Sequence, residues 1–172
     1  MTLKKQHKEM IAIVCALCIM ALLFYSSSKP YQEQSITHDI NRFLPNRPFE
    51  DLLRHISFLY GGKEVSIADN GYEAFIEFFI RKAAHFFSFF FLAMAWIYGL
   101  SSHIKSQSMK LLVVLLICVG YATFDEFHQS LNPNRSPLLE DVLLDTMGSV
   151  TGMFVYLMSS LCSKRALKKR KS

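Results

Sequence analysis

The chain has 172 residues, 51% of them hydrophobic and 15 of them phenylalanine, with a formal net charge of +5. That length suits one domain, and that composition is too apolar for a soluble domain of its size, so the membrane is the expected solvent. The basic residues gather at the two ends, Lys4, Lys5 and Lys8 at one and Lys164, Arg165, Lys168, Lys169, Arg170 and Lys171 at the other; this is the positive-inside pattern, and it makes nucleic acid the weaker explanation of the charge.

Residues 1–8 form a basic start, and 9–25 an apolar run that fits a first transmembrane span kept as an uncleaved anchor. Were the run a secretory leader instead, Ser26, Ser27 and Ser28 would make a poor cleavage site. Residues 26–80 are the one long polar segment, broken in its first half by Pro30, Pro45 and Pro48. Within it Phe49, Leu52, Leu53, Ile56 and Tyr60 recur at helical spacing and stop at Gly61 and Gly62. That pattern predicts a short extracytoplasmic amphipathic helix, lying on the membrane surface or capping the bundle. A second helix is expected to start near Asn70, with Glu73 three residues on as in a capping box, and to run without a breaker into a second span at 83–100.

The third apolar run, Leu111 to Phe124, is too short to cross alone, because a hydrocarbon core of about 30 Å needs about 20 residues at about 1.5 Å each. The third span is therefore extended to 109–129, which makes Asp125, Glu126 and Gln129 part of its outer end. Pro133 and Pro137 around Asn134 then read as a turn that folds Arg135 back over the helix ends. Residues 142–162 supply a fourth span and 163–172 a basic cytoplasmic tail. The expected fold is all-α, a single membrane domain of four transmembrane helices with both termini cytoplasmic. The four cysteines all fall inside apolar runs and imply no disulfide framework.

This topology places polar residues from three spans at the outer leaflet. On the second span Glu77, Arg81 and His85 are spaced by four and share a face with Ser88. Glu77 with Arg81 is also an ordinary helical ion pair, and a lone histidine in an apolar run is more often a packed, hydrogen-bonded residue than a functional one. On the third, Asp125, His128 and Gln129 share a face while Glu126 points elsewhere. A carboxylate beside an imidazole is what a general base needs, though a helix end at the water interface carries the same residues for solvation alone. On the fourth, Asp141 and Asp145 precede Gly148 and Gly152, a small-residue stripe read as close helix packing. Such packing brings Asp145 against a neighbouring span, where Arg81, Lys82 or Arg135 is the available cation.

His85, His128, Asp125, Glu126, Asp141 and Asp145 offer mixed nitrogen and oxygen ligands for a metal, but no HExxH, CxxC or EF-hand spacing supports one, and the sequence assigns none. No cofactor is named by the sequence, and there is no glycine-rich nucleotide loop.

Taken in order, Glu77-Phe-Phe-Ile-Arg81-Lys82-Ala-Ala-His85, Asp125-Glu126-Phe-His128-Gln129, Pro133-Asn-Arg135 and Asp141-Val-Leu-Leu-Asp145-Thr-Met-Gly148-Ser-Val-Thr-Gly152 resemble the VanZ-like family of bacterial membrane proteins. The resemblance implies a multi-span bundle in the bacterial cytoplasmic membrane, in a family whose founding members are linked to teicoplanin resistance at the cell envelope. Carried over by position, its polar residues are Arg81, Lys82, His85, Asp125, Glu126, Gln129, Arg135, Asp141 and Asp145. The chain departs from the family at Ser88 and Phe89, where an acidic residue and a tyrosine are frequent. The expected function is an outer-leaflet site for an envelope lipid or lipid-linked cell-wall precursor. His85, Asp125, Glu126 and Gln129 are the catalytic candidates, with His85 and Asp125 as the acid and base pair; Arg81, Lys82, Arg135, Asp141 and Asp145 are the binding candidates. The rival is a non-catalytic structural or regulatory protein whose charges only lock the helices. Proton or ion translocation would ask for polar residues at mid-membrane depth, and most of these lie nearer the surface.

Overall fold

The four apolar runs fold as long helices, and the polar segment folds as a small module at one end of them. The computed structural model describes residues 3–132 and 137–169, the side chains of Tyr31 and of 163–169 excepted. In chain order the elements are α1 (Leu3–Ser27), α2 (Tyr31–Gln34), α3 (Thr37–Phe43), α4 (Glu50–Leu53), β1 (Ser57–Tyr60), β2 (Lys63–Ser66), α5 (Ile67–Asn70), α6 (Tyr72–Gly99), α7 (Gln107–Ser130) and α8 (Leu139–Lys169).

Helices α1, α6, α7 and α8 are each long and apolar enough to cross a membrane. The shortest of them, α7, has 24 residues, about 36 Å of helix at about 1.5 Å per residue, so it does continue past Phe124 as the length argument requires. Outward faces carry Leu17, Phe87, Phe91, Leu112, Leu116, Met147 and Phe154, all exposed. An apolar surface of that extent belongs in lipid. Inward, Ala16 and Leu23 of α1 meet Phe89, Leu92, Ala93 and Ile97 of α6, Val114, Cys118 and Ala122 of α7, and Met153 of α8. These positions recur every three or four residues, one stripe per helix.

Helix α6 is the hub, packing most extensively on α8 and then on α1. Its seam with α8 closes on glycine: a Cβ at Gly148 would collide with the Phe86 carbonyl, and one at Gly152 would lie 2.5 Å from the Phe90 oxygen. Lipid tails are as apolar as leucine, so backbone proximity of this kind, and not hydrophobicity, holds the helices together. The expected role of the glycine stripe is thus met, with α6 and α8 running in the same direction.

The polar module has its own core of Ile40, Val65, Ile67, Tyr72 and Phe75. Here two expectations are corrected. The apolar spacing from Phe49 to Tyr60 is not one amphipathic helix: only Glu50–Leu53 is helical, Phe49 sits in the left-handed region at φ 61°, and β1 pairs antiparallel with β2. The glycines that were read as a helix stop instead form a two-residue hairpin turn, with φ 57° at Gly61 and 73° at Gly62. Alternation then governs, so that Phe58 and Tyr60 turn inward onto Phe78, at ring distances of 5.8 and 5.1 Å, while Leu59 faces out. Asn70 is likewise not the cap of the second span. Ser66 caps α5 by accepting from Asp69 N–H at 3.1 Å, Asn70 Oδ1 accepts from Ser66 N–H at 3.2 Å, and α6 starts after Gly71 with no side-chain cap. The hairpin tip reaches the start of α8, where Gly61 lies against the Leu138 side chain.

The glycine seam gives a direct expectation. Gly148→Leu should destabilise the bundle by at least the upper end of the roughly 1–3 kcal/mol typical of overpacking, because the obstacle is backbone and cannot move aside. Gly120→Leu should have little effect, since nothing lies within 4 Å of a Cβ there. Thermal unfolding of the two variants in one detergent, followed by size-exclusion chromatography, compares them.

Candidate functional site

Because α6 and α8 are parallel and locked at Phe86–Gly148 and Phe90–Gly152, the residues toward the hairpin end fall into register one turn at a time. Next to the glycines, His85 Nδ1 faces Asp145 Oδ2 at 3.6 Å, too long for a hydrogen bond but within electrostatic reach. A turn nearer the hairpin, the Lys82 ammonium donates to Asp141 Oδ1. Tyr60 donates to the same oxygen from the hairpin at 2.5 Å, and Lys82 Nζ lies 4.6 Å from the centre of the Tyr60 ring. Burial, and then the hydrogen bond to Asp141, push the Tyr60 phenol above its ordinary range, so it is a fixed donor. Farther out, Arg81 lies 3.7 Å from Glu77, which is fully buried and also accepts from Ser35 Oγ at 3.0 Å.

Helix α7 brings the remaining carboxylates. Asp125, 1% exposed, accepts from Ser27 Oγ at 2.6 Å through one oxygen and from Gln129 Nε2 at 2.8 Å through the other. Asn132 Nδ2 donates to the Ser27 carbonyl at 2.7 Å and Gln129 Nε2 to Ser27 Oγ at 3.2 Å, so Ser27 holds the end of α1 to the end of α7 through both its side chain and its backbone. Glu126 Oε2 accepts from the Leu138 N–H at 2.9 Å, just before α8 begins. A carboxylate there answers both a free N–H and the positive end of the helix dipole.

Five of the expected residues, Arg81, Lys82, Glu126, Gln129 and Asp141, line one cavity of about 380 Å³ between the hairpin and the helix ends. The hairpin contributes Tyr60, Lys63 and Glu64 to its wall. His85, Asp125 and Asp145 are not in its wall: His85 and Asp145 lie about a turn below Lys82 and Asp141, and Asp125 lies next to Glu126 on α7. Asp145 is 1% exposed, and its Oδ1 is buried with no hydrogen-bond partner among the described residues. Among the described residues no group of three or more His, Cys, Asp or Glu is placed to hold a metal ion. Arg135 lies outside the described residues.

The pairing differs from expectation in three places. His85 faces Asp145, not Asp125, whose oxygens are taken by Ser27 and Gln129. Asp145 finds its partner in His85, while Lys82 goes to Asp141 and Arg81 to Glu77. His128 makes no hydrogen bond to Asp125; its ring stacks on Phe24 with centroids 4.3 Å apart, and its Nδ1 is buried without a partner among the described residues. Tyr60, Ser27 and Ser35 complete the network and were not anticipated. The one signal for Tyr60 was the alternation ahead of the paired glycines; Ser27, one of three consecutive serines, carried none.

Comparison with known proteins gives a consistent result. A family model for VanZ/LLP1 matches residues 12–161, from within α1 through most of α8. No curated protein and no solved structure matches the chain. The matched stretch takes in most of each of the four membrane-crossing helices, the hairpin and every described residue of the polar network, and on that extent the chain, a multi-pass membrane protein, belongs to the VanZ/LLP1 family.

Proposed function

We propose that the cavity beneath the hairpin binds the phosphate head of an envelope lipid or lipid-linked cell-wall precursor, from the outer leaflet of a bacterial cytoplasmic membrane. The observation that carries this reading is the cavity wall itself, where Lys63, Arg81 and Lys82 are interspersed with Glu64, Glu126 and Asp141 at the hairpin end of the bundle. A phosphate entering there exchanges the Asp141 carboxylate for its own oxygens at Lys82, and the Arg81 guanidinium offers a bidentate fork. Arg135, two residues before Pro137, is assigned to the same head by its place in the family-like motif. Beneath the cavity, His85 with Asp145 behind it replaces the acid and base pair first read as His85 with Asp125. Asp145 holds one tautomer of the ring and stabilises its protonated form, the arrangement a proton-transferring imidazole requires. Loss of such a site is expected to lower resistance to teicoplanin-type glycopeptides where this member contributes to it.

The orientation belongs to the same proposal. By sequence order a four-crossing chain brings Lys4, Lys5, Lys8, Lys105 and the C-terminal basic residues to one end, and the positive-inside rule supports a cytoplasmic position for that end with the hairpin outside. Leu59→Cys on the exposed face of β1 should react with a membrane-impermeant maleimide in intact cells, and Lys105→Cys only after permeabilisation. The reverse pattern contradicts this orientation.

A purely structural role is favoured by one observation, the full occupancy of Asp125 by Ser27 and Gln129. The two roles separate by residue. Asp125→Asn should lower membrane abundance, since it weakens the tie between α1 and α7. His85→Asn should leave abundance unchanged while abolishing the glycopeptide phenotype. Lys82→Gln, which keeps a donor for Asp141, should reduce retention of a polyprenyl phosphate by purified protein in nanodiscs by about tenfold, the scale expected for one charged contact. Retention equal to the unaltered protein, with abundance and phenotype falling together in all three variants, leaves only the structural role.

A further inference from the structure

A second polar site lies at the opposite end of the bundle, where α1 begins and α6 ends. Glu9, where the basic start of α1 gives way to its apolar run, is only 3% exposed. Its Oε1 accepts from Ser102 Oγ at 2.6 Å and lies 3.8 Å from Lys5 Nζ, whose own side chain is 54% exposed. Among the described residues Oε2 makes no hydrogen bond or ion pair. The carboxylate is set in place by the close approach of the two helices, because a Cβ at Gly99 would lie 2.6 Å from Ile13 Cγ1 and 3.4 Å from the Glu9 carbonyl oxygen.

Beside Glu9 opens a cavity of about 670 Å³. Met10, Ile13 and Val14 give it apolar walls, and His7, Ser102 and His103 give it polar ones. Met10 and Val14 are themselves more than half exposed on the outward face of α1, so the cavity runs into the surface that meets lipid. A carboxylate that served only to join α1 to α6 would need neither an open oxygen nor a chamber of ligand size. A buried carboxylate calls for a desolvated cation, and a solvated lysine at 3.8 Å supplies that poorly.

We propose that this cavity takes the head of an aminophospholipid. Its primary ammonium donates to Glu9 Oε2, its phosphate lies toward His7, His103 and Lys5, and its acyl chains leave along Met10 and Val14. The three N–H donors of a primary ammonium are the discriminating feature. A choline head carries the charge without an N–H or O–H donor, and a glycerol head carries hydroxyl donors without the charge. The site is separate from the phosphate cavity beneath the hairpin and does not depend on it.

The test uses the full chain in nanodiscs of equal phosphatidylethanolamine, phosphatidylcholine and phosphatidylglycerol, followed by mild detergent release and native mass spectrometry of the retained lipid. Phosphatidylethanolamine should be enriched over phosphatidylcholine by about tenfold, and Glu9→Gln should remove the enrichment. Should Glu9→Gln fail to accumulate, Val14→Trp narrows the cavity from its lipid side without touching the carboxylate and should give the same loss. Equal retention of the three lipids by the unaltered chain, or enrichment that survives in every variant that accumulates, overturns the assignment.

Discussion

The backbone contact between α6 and α8 is the constraint on which the rest of this molecule depends. Two glycines one turn apart admit Phe86 and Phe90 to a distance that any larger residue would forbid. Once those positions are fixed, parallel helices with the same rise per residue carry the register outward. His85 must then meet Asp145, and Lys82 must meet Asp141. The polar network is in this sense a by-product of steric packing: the charges do not find one another by attraction over distance but are delivered by a seam that closes below them. Attraction then counts for more than it would in water wherever the pair is buried, as the Asp145 carboxylate is.

The hairpin converts this pair of helices into a covered site. Its inward residues, Phe58 and Tyr60, rest on Phe78 of α6, and its turn touches Leu138 at the entrance to α8. Tyr60 thereby joins a carboxylate on α8 to an ammonium on α6, and the extramembrane module reads the relative position of the two helices through a single oxygen of Asp141. Glu126 does similar service from α7 by receiving the Leu138 N–H. Three of the long helices and the hairpin therefore converge within a few residues of one another at the wall of one cavity.

How much of this was legible in the chain follows from which quantity sets each feature. The four crossings were legible because bilayer thickness demands a minimum helix length, and the third span could be lengthened on that ground alone. The polar residues stood out because lipid makes each of them costly. Their partners were not legible. Spacing of four says that Glu77, Arg81 and His85 share a face of α6, but not which neighbour that face meets, and both Asp125 and Asp145 lay at the right depth for His85. The hairpin was hidden for a different reason. Phe49, Leu52, Leu53 and Ile56 match a helical period by coincidence over a short window, and a glycine pair ends a helix as readily as it turns a hairpin. Only the alternation of Phe58 and Tyr60 favoured the strand, and it is two residues long.

The order of these partners along the chain also has a bearing on how the protein is made. Lys82 enters the bilayer 59 residues before Asp141 exists to meet it, and His85 likewise precedes Asp145, so both bases arrive in the membrane with their acids still on the ribosome. Each such group is tolerated at a cost of up to about 3 kcal/mol, which the translocation machinery or a shallow, water-touching pose must absorb meanwhile. Assembly cannot finish until the last helix brings its glycines under Phe86 and Phe90, so Lys82 and His85 wait for Asp141 and Asp145 from the second crossing to the fourth.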